Sequence, residues 1–430
     1  METEVNEDVV EMMEEDEETN ENGEVYLPGQ KLEADEKLVC DTSAYVMLHQ
    51  ASTQAPCLSF DIVKDMLGDN REEYPLTCYI AAGTQANKTH ANSIIIMKMH
   101  NLHKVVNHEN EESDSEDDDE EDDDEGEKNP KMIAAFIKHP GCVNRIRTVT
   151  LPNVALAATW SELGIVNVWS INEQLEACDS PQLLETYNKK QNAINPLFSY
   201  RGHKLEGFAL DWCPTAPGVL ATGDCKQDLY VWQPKEGGTW EVCREPLVGH
   251  TQSIEDIQWS PNEVNVMATC SVDRSIRVWD TRAAPSKACM ITCENSHEGD
   301  VNVINWNRNE PFILSGGDDG CLKIWDLRQL QQNSPVAIFK HHKAPVTSVE
   351  WHPTDSTVFA SSGEDNQIAQ WDLGVEKDGD LTDVEEIPSQ LLFIHQGQEN
   401  IKEIHWHKQL TSVLISTSLD GFNIFRTISV

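Results

Sequence analysis

Positive charge is what this sequence has least of: 32 Lys and Arg face 74 Asp and Glu, a net of −42 over 430 residues. A surface with that balance repels phosphate, so direct nucleic-acid binding is not expected. Long apolar runs are also missing. None approaches the roughly 18 residues that a membrane-spanning helix needs, so no membrane contact is expected. The first stretch, "METEVNEDVVEMMEEDEE", has neither a basic region nor an apolar core and does not read as a signal peptide. The twelve cysteines form no CxxC pair and no regular framework, which suits buried thiols in a reducing compartment. Cys289, Cys293 and His297 are evenly spaced, but no fourth ligand accompanies them and no metal site is assigned. There is no Gly-rich phosphate loop, no nucleophile elbow and no HExxH. "SGGDDG" (315–320) reads as turn chemistry between strands rather than a phosphate cradle. Neither catalysis nor a cofactor is therefore expected.

What is present is negative charge, concentrated in places. Residues 1–36 hold fifteen Asp and Glu, and 109–127 hold fifteen more with no basic residue among them. Together these stretches carry 30 of the 74 acidic residues and one of the 32 basic ones, leaving 44 against 31 in the rest. Blocks of like charge repel, stay extended and often serve as interaction tails. Residues 1–36 read as a disordered acidic tail. The second block, with "ESDSEDDDEEDDDEGE" at 112–127, lies between two strand-like stretches, "NSIIIMKM" (92–99) and "MIAAFIKH" (132–139).

The strongest signal is a repeat. A His precedes a Trp by nine positions four times, at His203/Trp212, His250/Trp259, His297/Trp306 and His342/Trp351. A second Trp follows 19 or 20 residues later, at Trp232, Trp279, Trp325 and Trp371. Repeats of 45–47 residues that open with Gly-His and end in Trp-Asp, as in "SVDRSIRVWD" and "GDDGCLKIWD", mark four-stranded propeller blades. Weaker copies at 74–99, 139–169 and 395–425 bring the count to seven. The expected fold is all-β, a seven-bladed WD-repeat β-propeller over 56–430, with the leftover strand "PCLSFDIV" (56–63) closing the ring on the last blade and abolishing the exposed edges. "LVCDTSAYVMLHQAST" reads as a short N-terminal α-helix over 38–55, capped by Asp41 or Thr42.

The insertions fall where they bear on function. With strands lettered a to d in each blade, Trp-Asp ends strand c. The acidic block 109–127 is then a disordered c–d loop of blade one, and "LGVEKDGDLTDVEEIPSQ" (373–390) is a c–d loop of blade six. Loops joining the same strand pair emerge on one face, and blades one and six flank blade seven. Both acidic loops should therefore project together, near the N-terminal segment.

The blade motifs resemble the WD-repeat family. "VYLPG" (25–29) through "YPLTCYIAAGTQA" (74–86), followed by WD repeats, resembles the histone-binding WD-repeat proteins of chromatin-assembly complexes. The acidic block, "GGDDGCLKIWDLRQ" and "GFNIFRTISV" resemble more closely the glutamate-rich WD-repeat proteins of ribosome biogenesis. The resemblance covers about residues 25–430. It implies buried His/Asp/Trp sets bracing the blades: His250/Asp273/Trp279, His297/Asp319/Trp325 and His342/Asp365/Trp371. The blade opening at His203 departs, with Lys226 at the turn position, which leaves its brace open. The resemblance also implies a nuclear or nucleolar, monomeric chaperone or scaffold. Its clients would be basic: a newly made large-subunit ribosomal protein, or core histones. Its binding groove would lie between the N-terminal helix, through Tyr45, Leu48 and His49, and the blade-six loop at 376–388, through Asp378, Asp380, Asp383, Glu385 and Glu386. Asp117, Asp118, Asp119, Glu120, Glu121, Asp122, Asp123 and Asp124 of the blade-one loop would neutralise client charge. Ser113 and Ser115, each with an acidic residue three positions on, fit acidophilic kinases. "WDTR" (279–282) and "WDLR" (325–328) resemble the Trp-Asp-x-Arg signature of substrate receptors for cullin-type ubiquitin ligases, with Arg282 and Arg328 as the docking residues. A plain interaction scaffold is the remaining alternative.

Overall fold

The structure is a computed structural model, and it describes residues 39–105, 129–190, 194–375 and 388–430. Seven antiparallel sheets of four strands each make up the chain. In every blade the a strand lies innermost, and each a strand packs against that of the next blade. Blade one runs over 57–138, two over 143–200, three over 209–242, four over 254–293, five over 301–340 and six over 346–395. Blade seven takes strands a to c from Glu403–Trp406, Leu414–Ser418 and Gly421–Thr427, and its outermost strand from the other end of the chain.

That outermost strand is Tyr45–Ala51, which pairs antiparallel with Gly421–Thr427 through contacts such as Leu48 with Phe425 and Ala51 with Phe422. Two expectations are corrected here. Residues 45–51 are not helical. Asp41 does cap a turn, accepting from the Ser43 N–H at 3.0 Å, but that turn is a single 3-10 turn over Thr42–Ala44. Beyond it Tyr45, Met47 and Ala51 are buried at even spacing, the period of a strand, and an unpaired edge of the C-terminal sheet is there to receive it. Nor does 56–63 close the ring. Cys57–Val63 is strand a of blade one and pairs with Leu76–Thr84. The ring is closed by a strand from one chain end lying on a strand from the other.

The braces follow the expected pattern and add a member. In blade four His250 Nδ1 faces Asp273 at 2.9 Å, and Nε2 faces the Thr269 hydroxyl at 2.6 Å. The Trp279 indole N–H donates to that same hydroxyl at 2.8 Å. One chain of bonds thus satisfies four buried polar groups, which is what their burial demands. Burial alone would raise the Asp273 pKa, but the bond from His250 outweighs it and holds the carboxyl below the usual range. Ser315 and Ser361 take the hydroxyl position in blades five and six. In blade three the brace is intact despite Lys226. Asp224, two residues earlier, faces His203 at 3.0 Å, and Thr222 supplies the hydroxyl. In blade two Thr159 joins His139 and Trp169, while the Gly141 carbonyl replaces the carboxylate. Blade seven uses Gln398 with Ser416 and Ser418.

Candidate functional site

Each a strand starts at the same face of the ring, so every a–b and c–d connection opens on the opposite face. Both acidic insertions leave from this second face. The first leaves blade one after Val105 and returns before Asn129, with Asn101 and Asn129 meeting across its neck at 3.5 Å. The second leaves blade six after Val375 and returns at Pro388. Gln390 donates to the Val375 carbonyl at 3.2 Å. Asp117, Asp118, Asp119, Glu120, Glu121, Asp122, Asp123, Asp124, Asp378, Asp380, Asp383, Glu385, Glu386, Ser113 and Ser115 lie outside the described residues.

The two roots meet at the closing strand. The Val105 N–H donates to the Val46 carbonyl at 3.0 Å, and His49 Nε2 faces the His103 carbonyl at 3.0 Å. Burial lowers the His49 pKa, so the ring is neutral and donates to that carbonyl. From the blade-six side, Phe393 stands edge-on to Tyr45 with centroids 5.3 Å apart. Val105, Phe393, Ala44 and Leu48 all pack on the cluster built around Tyr45, Trp406 and Phe425.

This changes the roles of the three residues assigned to a helix wall. Tyr45 is only 7% exposed, and its hydroxyl meets His395 Nδ1 at 2.7 Å, so it is a core residue of the seam. Leu48 packs on that core, and His49 ties the seam to the root of the first acidic insertion. The closing strand therefore positions the acidic roots and offers no groove wall through these side chains.

Arg282 and Arg328 follow strand c of blades four and five, on the same face as the acidic roots. Their side chains are 68% and 70% exposed. Each guanidinium folds back on the Asp of its own motif. Arg328 Nε and Nη2 donate to the two Asp326 oxygens at 2.9 and 2.7 Å, and Arg282 grips Asp280 in the same fork. A partner would meet an Arg–Asp unit rather than a bare cation. Cys293 faces Asn333, and His297 is engaged in its brace, so the evenly spaced Cys289, Cys293 and His297 are not gathered on one ligand position.

Sequence reasoning missed the channel. Glu403, on strand a of blade seven, is 1% exposed. It receives Arg145 and Arg147 of blade two at 2.8 and 2.7 Å, with the Ser59 hydroxyl and Phe60 N–H of blade one at 2.8 Å each. His405 sits beside it, its Nδ1 2.9 Å from Glu350 of blade six. Its Nε2 lies 3.6 Å from Glu403, an ion-pair contact too long for a hydrogen bond. Burial alone would lower the His405 pKa, but the two carboxylates outweigh it and push the ring up to about 9. The cluster joins blades six, seven, one and two across the seam. Its signal in the sequence was charge at alternate positions of short strands, "RIR" at 145–147 and "EIH" at 403–405.

The fold and this face define a WD-repeat propeller with an N-terminal module of histone-binding type. A model for the WD domain, G-beta repeat, matches residues 241–280, 288–326 and 333–372. One for the histone-binding protein RBBP4 and its counterpart in the CAF1 complex matches 35–103. The chain is 38% identical to ribosome assembly protein rrb1 of Schizosaccharomyces pombe, over 94% of this chain and 84% of that protein. It is 44% identical to glutamate-rich WD repeat-containing protein 1 of Dictyostelium discoideum, over 92% and 83%, and 42% identical to Protein HEAT STRESS TOLERANT DWD 1 of Arabidopsis thaliana, over 94% and 92%. It belongs to the glutamate-rich WD-repeat family of ribosome assembly proteins.

Proposed function

We propose that this protein is a non-catalytic chaperone for strongly basic proteins, a newly made large-subunit ribosomal protein or core histones, working in the nucleus and nucleolus. The observation that carries the reading is the shared root of the two acidic insertions. Val105 of the first and Phe393, beside the second, pack on the same closing strand. Two acidic stretches leaving from neighbouring points of one face can surround a single cationic chain. The names of the relatives, which speak of ribosome assembly and histone binding, agree with such clients. Attraction of this kind is screened over about 8 Å at physiological ionic strength, so client affinity should fall steeply with added salt. Phosphorylation of Ser113 and Ser115 would add charge to the same stretch and strengthen it.

A second role is favoured by one observation: two exposed Arg–Asp units stand on neighbouring blades of one face, as docking to a cullin ligase adaptor would use. One co-purification experiment separates the roles. Deleting 109–127 should release the basic client at low salt and leave any ligase adaptor bound; Arg328→Ala should do the reverse. Unchanged client binding in the deletion would sink the chaperone reading. An adaptor that is never recovered, or one indifferent to Arg328→Ala, would sink the second.

A further inference from the structure

Neutralising a client's charge does not by itself select a client; selection needs apolar contacts that exclude water. The face that roots the acidic insertions carries such a contact. The a–b loop of blade one, 64–75, turns Met66 and Leu67 outward at 95% and 57% exposure. The loop that carries them is firmly held. Gln409 of blade seven, itself buried, accepts from the Asp65 N–H at 2.9 Å. Its own amide nitrogen faces the Asp65 and Gly68 carbonyls and the Asp69 carboxylate at 3.0–3.2 Å. Arg71 pairs with Asp65 at 2.6 Å, and the Arg71 backbone exchanges bonds with Gln409 and Thr411. At the tip, Asp65 takes the Leu67 N–H at 2.8 Å and Gly68 turns the chain at φ +108°. A loop this constrained keeps two large apolar side chains in water when it has every means to turn them inward. That is the arrangement of a preformed anchor, which spares the ordering cost when a partner arrives.

We propose that Met66 and Leu67 are the apolar anchor for the basic client, seated against a helical or extended segment whose apolar side chains are flanked by Lys or Arg. Charge and continuity identify this occupant. Glu72 and Glu73 are exposed on the same loop and suit the flanking cations. The loop also adjoins the root of the first acidic insertion, where the Lys104 ammonium stands 5.2 Å from the centre of the Tyr74 ring. Methionine is suited to a surface that must adapt to a client, because its thioether chain is flexible and polarisable. The inference rests on the chaperone reading and adds to it the contact that survives when charge is screened.

The test uses the full-length protein and purified core histones as probe, with affinities measured at low and at high salt. The Met66→Ser/Leu67→Ser double variant should keep the wild-type melting temperature, since neither side chain is buried. Its affinity should fall about tenfold at low salt, and it should lose the salt-resistant remainder that the wild type keeps. Deleting 109–127 should do the opposite, weakening binding at low salt most. An unchanged isotherm for the double variant, beside a weakened deletion, would overturn the anchor and leave the chaperone reading standing. Absence of histone binding by the wild type would overturn both.

Discussion

Deleting residues 39–52 should cost the propeller its fold, although the segment is short and the seven WD-type sheets are otherwise complete. It is the outermost strand of blade seven, so its loss strips Met47, Tyr45 and Ala51 from the seam and leaves the Gly421–Thr427 edge unpaired. Burial of a Met or Tyr side chain is worth about 1.5–3 kcal/mol each. With the ladder bonds and the opened edge the loss is on the order of the whole stability of a domain, 5–15 kcal/mol. The expected result is aggregated protein, or a melting temperature lowered by more than ten degrees. Deleting only 1–38 should leave the melting temperature within a few degrees of wild type. If the 39–52 deletion melts like wild type, the strand does not close the ring.

Glu403→Ala should be the most damaging single substitution. It strands two arginines and an imidazolium around an empty site in the channel. Breaking a buried ion pair from one side costs about 3–5 kcal/mol, because the remaining charges stay buried without a counterion. Glu185→Ala, which removes an exposed pair with Lys189, should change stability by less than about 1 kcal/mol. Urea unfolding of both variants reads the difference, and near-equal losses would contradict the clasp. The same cluster sets a pH dependence. His405 has its folded pKa raised to about 9, above its unfolded value near 6.5, so its stabilisation is complete below about 6.5 and disappears as pH rises through about 9. Glu403 is opposed by burial but held well below its usual range by Arg147, His405 and Arg145, so its contribution is present above about 4.5 and is lost in acid. Stability should therefore be greatest between about pH 5 and 7 and decline through pH 9, with the alkaline decline missing in His405→Phe.

The fold was legible because the repeat writes itself in large residues. Trp232, Trp279, Trp325 and Trp371 must be buried, and their hydrogen-bonding partners recur at fixed offsets. The hydroxyl that completes each brace was equally regular, ten residues before each Trp at Thr222, Thr269, Ser315 and Ser361. It escaped notice because small hydroxyl residues are common everywhere. Residues 45–51 were misread because Tyr45, Leu48 and Ala51 fall at helical spacing while Tyr45, Met47 and Ala51 fall at strand spacing, and no local rule separates them. A pairing edge supplied by Gly421–Thr427, some 370 residues away, decided it. The channel cluster was hidden for the same reason. Arg145, Glu403 and His405 look like ordinary surface charges until the ring brings their strands together. The sharing of a face by the acidic insertions was readable, since blade order alone dictates it.

The central claim is that one basic client is held at the seam, between the acidic stretches rooted in blades one and six. Carbodiimide coupling of a client–protein complex, which joins a client lysine directly to a carboxylate, tests it most directly when the linked peptides are mapped by mass spectrometry. The account predicts bonds to 117–124 and to 378–386 on the same client molecule, with Glu72 and Glu73 joining the set. Bonds confined to Asp318, Glu364 and Asp420, which lie in b–c turns on the opposite face, would contradict it.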